Sequence, residues 1–378
     1  MLAVGVFVFD LTGSPSQVAL MLILRMVPLA CFGILAAAIV ERVGHRRMLM
    51  FGVIVMIGVS ALLAFLSTTG QIQLWHIGLG TFVSGMFWVL DFPVRKTLLG
   101  GAVDAGSIGH AMSLDTVTNN GTRMLGPILG GVFLQWVGLT GVYGFAAMAY
   151  VLALLWTISL RPKTRSPRHS DYGVFSAITR SLSLLKSRPL LAGVLMVTAV
   201  FNLWGFPFVS MIPVIGKETL GLNSFHVGLL MSAEGCGALV GALLIVGVGQ
   251  VRYYRRLYIC GISLYLVVAV IFSQVTFSAG AAVCLLLVGL GVAAFAAMQS
   301  TLILLKTPEE ARSLMMGLLS VCVGMAPIGF LHIGLLADWL GARAAIAILA
   351  SEGIVALYWV LHKWPSLLDL EYLSNKQE

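Results

Sequence analysis

Apolar runs of about 20 residues recur along the whole chain, each long enough to cross a lipid bilayer as a helix. They fall at roughly 17–39, 48–67, 73–94, 109–136, 140–160, 190–213, 224–248, 257–274, 279–305, 312–336 and 343–362, with short charged or Gly/Pro/Ser turns between them. A backbone in hydrocarbon satisfies its hydrogen bonds only as a helix or a closed barrel, and none of these runs alternates in polarity as a barrel strand does. Composition agrees: 59% of the 378 residues are hydrophobic and 10% are charged, against about 25% charged in an ordinary soluble domain. The expected fold class is therefore an all-α membrane protein. The opening run, Met1 to Leu11, is too short to cross alone. It lacks a basic start, and Asp10-Leu11-Thr12-Gly13-Ser14 follows it in place of a small-x-small cleavage site. It reads as the outer half of a first helix whose beginning is absent from this sequence, giving twelve helices of which eleven are complete.

Loop charge sets the topology. Counting the partial helix as the first, all but four of the 23 lysines and arginines lie in loops after even-numbered helices or after the last one. The four are Lys217 and Arg343, in odd loops, and Arg25 and Arg123, within spans. The positive-inside rule then puts the even loops and the C-terminus in the cytoplasm. The net charge of +8 is a topology signal, and it leaves no basic face for nucleic acid.

The longest polar stretch, Arg161 to Arg188, lies midway. Its first part is a basic linker. Its second part sets Val174, Phe175, Ile178, Leu182 and Leu185 at helical spacing among basic residues, which suits either a helix on the anionic inner leaflet or a solvated tether. Around it the chain repeats: Ser16-x-Val18-x-Leu20 through Arg46-Arg47 returns roughly 209 residues later as His226-Val227-x-Leu229 through Arg255-Arg256. The expected organisation is an N-terminal bundle over 1–160, a linker over 161–189, a C-terminal bundle over 190–363 and a cytoplasmic tail over 364–378.

Chemistry-bearing patterns are sparse. Five cysteines stand singly in apolar runs, the seven histidines are scattered, and no phosphate-binding glycine loop appears. No metal, cofactor or nucleotide is expected. No nucleophile–base arrangement supports an enzyme, so work done across the membrane would draw on an ion gradient.

The fifth helix is the most informative. At about 100° per residue, Asp115, Asn119, Thr122, Arg123, Gly126 and Gly130 share one arc of about 100°. That stripe cannot face lipid: arginine at the bilayer centre costs about 2.5–3.5 kcal/mol on insertion scales. Glu234, mid-way along the eighth helix, occupies the repeat position equivalent to Arg25, so the two are expected to face one another across a central cavity. Arg25, Asp115, Asn119, Arg123, Glu234 and Gln299 form the candidate set for substrate or proton coupling. Asn202, His332 and Glu352 are weaker candidates, since single intramembrane polar groups commonly serve as bridges between helices.

Ala37-Ala38-Ile39-Val40-Glu41-Arg42-Val43-Gly44-His45-Arg46-Arg47 resembles the signature loop of the major facilitator superfamily, Gly-x-x-x-Asp-Arg-x-Gly-Arg-[Lys/Arg], at the same place in the helix order. Ala37, Glu41 and His45 depart from that pattern. The resemblance implies a gating role for Glu41, Arg42, Gly44 and Arg46, with Arg95 of Phe92-Pro93-x-Arg95 beside them. Gly121, Gly126, Pro127, Gly130 and Gly131 resemble the antiporter motif on the fifth helix of drug and proton antiporters. With Asp10-Leu11-Thr12-Gly13-Ser14 and Gly334-Leu335-Leu336-Ala337-Asp338-x-x-Gly341, the chain looks like the bacterial exporter branch that includes enterobactin exporters and macrolide efflux proteins. That implies a major facilitator fold of two six-helix bundles in the bacterial inner membrane. It further implies a monomer that exports a small amphipathic molecule, with protons as coupling ion and membrane lipid as its surroundings. The shortened first helix motivates one alternative: a membrane sensor or assembly partner that keeps the fold without transport.

Overall fold

The computed structural model describes residues 1–43, 45–102, 108–159, 188–247, 253–307 and 312–368. Twelve helical segments run in order through them. In the first half, α1 is Leu2–Thr12, α2 Pro15–Val43, α3 His45–Thr68, α4 Leu74–Ala102, α5 Ile108–Trp136 and α6 Gly138–Ser159. In the second, α7 is Pro189–Glu218, α8 Ser224–Gly247, α9 Tyr254–Gln274, α10 Ser278–Lys306, α11 Arg312–Val323 continuing as Ala326–Leu340, and α12 Ala342–Lys363. Among the described residues, eight helices are long and apolar enough to cross a membrane, namely α3 and α6 to α12. The 29-residue helices α2, α4 and α5 run beside them and reach about 43 Å at 1.5 Å per residue. Polar side chains lower the hydropathy of α5, as its stripe requires.

Two helices depart from regularity where the sequence explains it. In α7 the α-helical ladder ends at Val200, passes through a π turn over Phe201–Gly205 and a 3₁₀ stretch over Phe206–Met211, and resumes at Ile212. Pro207 and Pro213 cannot donate to the preceding turn, and Gly205 supplies the slack. The apolar span read as 190–213 thereby extends to Glu218. In α11, Pro327 opens a new helical segment after the break at Gly324-Met325.

The helices form two bundles. In the first, α2 packs on α4, and α3 on α4 and α6; in the second, α10 packs on α8 and α9, and α12 on α9 and α11. The bundles meet along two lines, α5 on α8 and α2 on α11.

The sequence repeat is visible in the packing. A Cβ added at Gly85 of α4 would lie 2.2 Å from the carbonyl oxygen of Arg25, and one added at Gly289 of α10 would lie 2.0 Å from that of Glu234. Equivalent helix pairs thus cross at equivalent residues. Arg46, at the start of α3, donates to the carbonyls of Thr157 and Ile158 at the end of α6. Its counterpart Arg255 donates to the carbonyl of Ser366, just beyond α12, at 2.8 Å. In both halves an arginine ties its helix to the end of the bundle, at the last-turn carbonyls of α6 in the first and at the turn after α12 in the second.

Candidate functional site

Among the described residues, both lines of inter-bundle contact are close-packed at the end of the molecule that carries the α1–α2, α5–α6, α7–α8 and α11–α12 turns. On the α5–α8 line, a Cβ at Gly131 would meet the Ser224 carbonyl oxygen at 2.7 Å, and one at Gly228 the Pro127 carbonyl oxygen at 2.5 Å. Only glycine lets the backbones approach so closely. The Gln135 carboxamide oxygen accepts the Ser224 N–H at 3.1 Å, where α8 begins. On the α2–α11 line, a Cβ at Gly334 would lie 3.0 Å from Ala19 and 3.2 Å from Ser16.

Charge fastens the same end. Lys217 of α7 reaches Asp10 of α1 at 2.9 Å. Asp338 of α11 accepts the backbone N–H of Ser16 at 3.2 Å and the Ser14 hydroxyl at 3.3 Å. An acid from one bundle therefore occupies the N-terminus of a helix in the other, where the helix dipole favours negative charge. Arg343 donates to the carbonyls of Ser273 and Gln274 at 2.8 and 3.0 Å, closing the C-terminal end of α9. These partners give Lys217 and Arg343, the basic residues of the odd loops, their structural reason. Gly13, with φ 64°, provides the left-handed turn that brings α1 and α2 together here.

At mid-depth the α5–α8 line carries an ion pair. Arg123 of α5 and Glu234 of α8 are joined directly through a guanidinium nitrogen and Oε1. The Glu234 side chain is 7% exposed and that of Arg123 41%, so the carboxylate is enclosed and the guanidinium is partly open. Just below, a Cβ at Gly235 would fall 2.7 Å from the Cα of Met124. That contact sets the height at which the two charges meet. Along α5, exposure falls from Thr118, Asn119 and Arg123 to the half-buried Gly130 and buried Gly131. The polar face is thus open on one side of the ion pair and sealed by helix contact on the other.

The remaining candidates are placed apart from this pair. Arg25 does not face Glu234: its guanidinium carbon lies 6.0 Å from the ring centroid of Trp88 on α4, within the first bundle. Its Nε has no hydrogen-bond partner among the described residues. Gln299 is buried in the second bundle and donates to Thr198 at 2.9 Å. That hydroxyl also meets Tyr258 at 3.0 Å, and Asn202 donates to the Thr198 carbonyl at 2.9 Å. This network links α7, α9 and α10. Asn119 is exposed on α5. A Cβ at Gly130 would lie 3.8 Å from that of Ala3 on α1, whereas one at Gly121 or Gly126 would meet nothing within 4 Å. Glu41, Arg42, Arg95 and Asp115 lie within α2, α4 and α5, but their side chains, and Gly44 as a whole, fall outside the described residues.

A family profile described as transmembrane secretion effector matches residues 1–371. The multi-drug resistance efflux pump PmrA homolog of Lactococcus lactis is 23% identical over 75% of this chain and 70% of its own length. Macrolide efflux protein A of Streptococcus pyogenes is 18% identical over 90% of this chain and 86% of its own. The enterobactin exporter EntS of Salmonella typhimurium is 26% identical over 52% of this chain and 46% of its own. Among solved structures, a bacterial homolog of the human lysosomal transporter Spinster, in an inward-facing and unoccupied conformation, superposes with a TM-score of 0.76. It is 12% identical and covers 97% of this chain and 94% of its own. The nucleoside transporter NupG superposes with a TM-score of 0.72 at 11% identity, over 96% and 94%. At these identities the structures speak for the fold alone. The chain is thus a multi-pass membrane transporter of the major facilitator superfamily, belonging to the transmembrane secretion effector family.

Proposed function

We propose that the chain exports small amphipathic molecules from the bacterial cytoplasm by alternating access, driven by protons. The bundles over 1–160 and 190–363 rock about the line where α5 meets α8, and the segment 161–189 tethers them. The observation that carries the reading is the Arg123–Glu234 pair, which spans the bundle interface at the boundary between the sealed and open parts of the α5 face. A proton on Glu234 removes the charge that holds Arg123 across the interface, so protonation and opening of the sealed end are coupled through one contact. Placed by the positive-inside rule, the sealed end is periplasmic and the open end cytoplasmic. The relatives named as efflux pumps and exporters support export, and the resemblance of the glycines on α5 to the antiporter motif supports exchange against protons.

The test is accumulation in a bacterial host stripped of its major efflux pumps. Expression of the chain is expected to lower the intracellular level of at least one probe among a macrolide, a catecholate siderophore and a lipophilic dye. A protonophore should restore it. If no probe is depleted and no tolerance changes, export is not the function.

A further inference from the structure

Two turns of the chain share one spacing, although they stand at opposite ends of the molecule. Ala37-x3-Glu41-x2-Gly44-x-Arg46 joins α2 to α3, and Gly334-x3-Asp338-x2-Gly341-x-Arg343 joins α11 to α12. Each sets a small residue, an acid, a glycine and an arginine at the same four places. In each, a single glycine lies between two helices: α2 ends at Val43 and α3 begins at His45, while α11 ends at Leu340 and α12 begins at Ala342. Gly341 takes φ 82°, a conformation that favours glycine. The arginine of each turn has the same kind of partner. Arg46 donates to the carbonyls of Thr157 and Ile158 in the last turn of α6, and Arg343 to those of Ser273 and Gln274 in the last turn of α9. Inverted three-helix repeats within each half of such transporters relate helices in this way, with the two ends of the molecule exchanged.

The acid of the α11–α12 turn reaches out of its own bundle. Asp338 Oδ1 accepts the Ser16 N–H at 3.2 Å and the Ser14 hydroxyl at 3.3 Å, where α2 begins. The first N–H groups of a helix have no partner within it, and the dipole of the 29-residue α2 draws negative charge to them. Gly334, one turn before Asp338, sets the height of the contact, since a Cβ on it would lie 3.0 Å from that of Ala19. The contact is exposed. Water therefore replaces it at small cost when the bundles part, as a gate that opens in every cycle requires. We infer that the α11–α12 turn is a second, inverted copy of the gating loop, and that Asp338 is the latch of the sealed end, holding α11 to the N-terminus of α2. Asp338 is a positioning residue: it acts through α2 and not on the transported molecule. The inference rests on alternating access but on neither export nor proton coupling.

Paired spin labels on the full chain in lipid nanodiscs, with the five free cysteines replaced, test the latch. Labels on Gln71 and Phe277 read the sealed end and labels on Arg47 and His362 the opposite end, all four positions being exposed. Asp338→Ala should raise the ratio of open to closed molecules at the sealed end by about 5- to 30-fold, lengthening the first distance and shortening the second. Asp338→Glu, which supplies the acid found in the other copy, should keep the unaltered ratio. Glu41→Ala added to Asp338→Ala should carry both distances back. Gly235→Leu, which forces α5 from α8, is the comparison and should open the sealed end by a separate route. The latch alone is overturned if Gly235→Leu shifts the two distances in opposite directions and Asp338→Ala does not. It is also overturned if Asp338→Glu shifts them as alanine does, or if Glu41→Ala fails to reverse the shift. If Gly235→Leu and Asp338→Ala both leave the distances unchanged, or both lengthen the two together, the bundles do not rock and alternating access falls with the latch.

Discussion

Leucine at Gly235 is expected to abolish transport while the chain still inserts in the membrane. A Cβ at this position would lie 2.7 Å from the Cα of Met124 and 2.8 Å from the carbonyl oxygen of Arg123. Both are backbone atoms, so no rotamer change relieves the clash, and α5 and α8 must part. Each bundle keeps its own core, because Gly235 meets the other bundle. Overpacking costs about 1–3 kcal/mol, which shifts a two-state equilibrium by about 5- to 150-fold. The shift is away from the state in which the α1–α2 end is sealed. Spin labels on Gln71 and Phe277, in the exposed α3–α4 and α9–α10 turns at that end, would read it as a longer inter-bundle distance, on a background in which the five free cysteines are replaced. An unchanged distance together with retained transport would show that the close approach of α5 and α8 is dispensable.

The second large effect concerns the ion pair. Arg123→Ala leaves the enclosed Glu234 carboxylate without its partner, and Glu234→Ala leaves Arg123 without a counter-charge at mid-membrane. Breaking a wholly buried pair costs about 3–5 kcal/mol and breaking an exposed one about 0.2–1 kcal/mol. With one side chain 7% exposed and the other 41%, the cost falls between these limits, and each single variant is expected to lose transport. The exchange Arg123→Glu with Glu234→Arg keeps one charge of each sign at the interface. It should recover stability of the purified protein, read as thermal unfolding, without recovering proton coupling, because the carboxylate then stands on the open face and not in the enclosed position. Failure of the exchange to recover stability would mean that the two residues do not act as a pair.

Much of the architecture was legible in the residues because a bilayer imposes coarse and repetitive demands. Span length, loop charge and the offset that relates Arg46 to Arg255 all report on the fold directly, and the structure realises that offset as two arginines, one holding the end of α6 and the other the turn after α12. Arg123 was legible for a similar reason: a charge at mid-span is conspicuous. Its partner was not. The repeat set Arg25 against Glu234, but internal symmetry relates equivalent positions and does not bring them face to face. The glycines of α8 fix where α5 crosses it, and that crossing delivers Arg123 to Glu234. The seal between Asp10 and Lys217 had a faint signal in the lone lysine of an otherwise cation-poor set of loops. The π turn of α7, which points Trp204 at Glu352, left none, because hydropathy is blind to hydrogen-bond register.

The central claim, that Glu234 couples protons to movement between the bundles, is tested most directly by proton flux in reconstituted vesicles. With a transported probe added outside the vesicles, its entry down its gradient in exchange for lumenal protons should turn the lumen alkaline. Glu234→Gln, which keeps the shape of the side chain and removes its titration, should bind the probe and show no probe-stimulated flux. Flux in Glu234→Gln equal to that of the unaltered chain would contradict the claim and remove Glu234 from the mechanism.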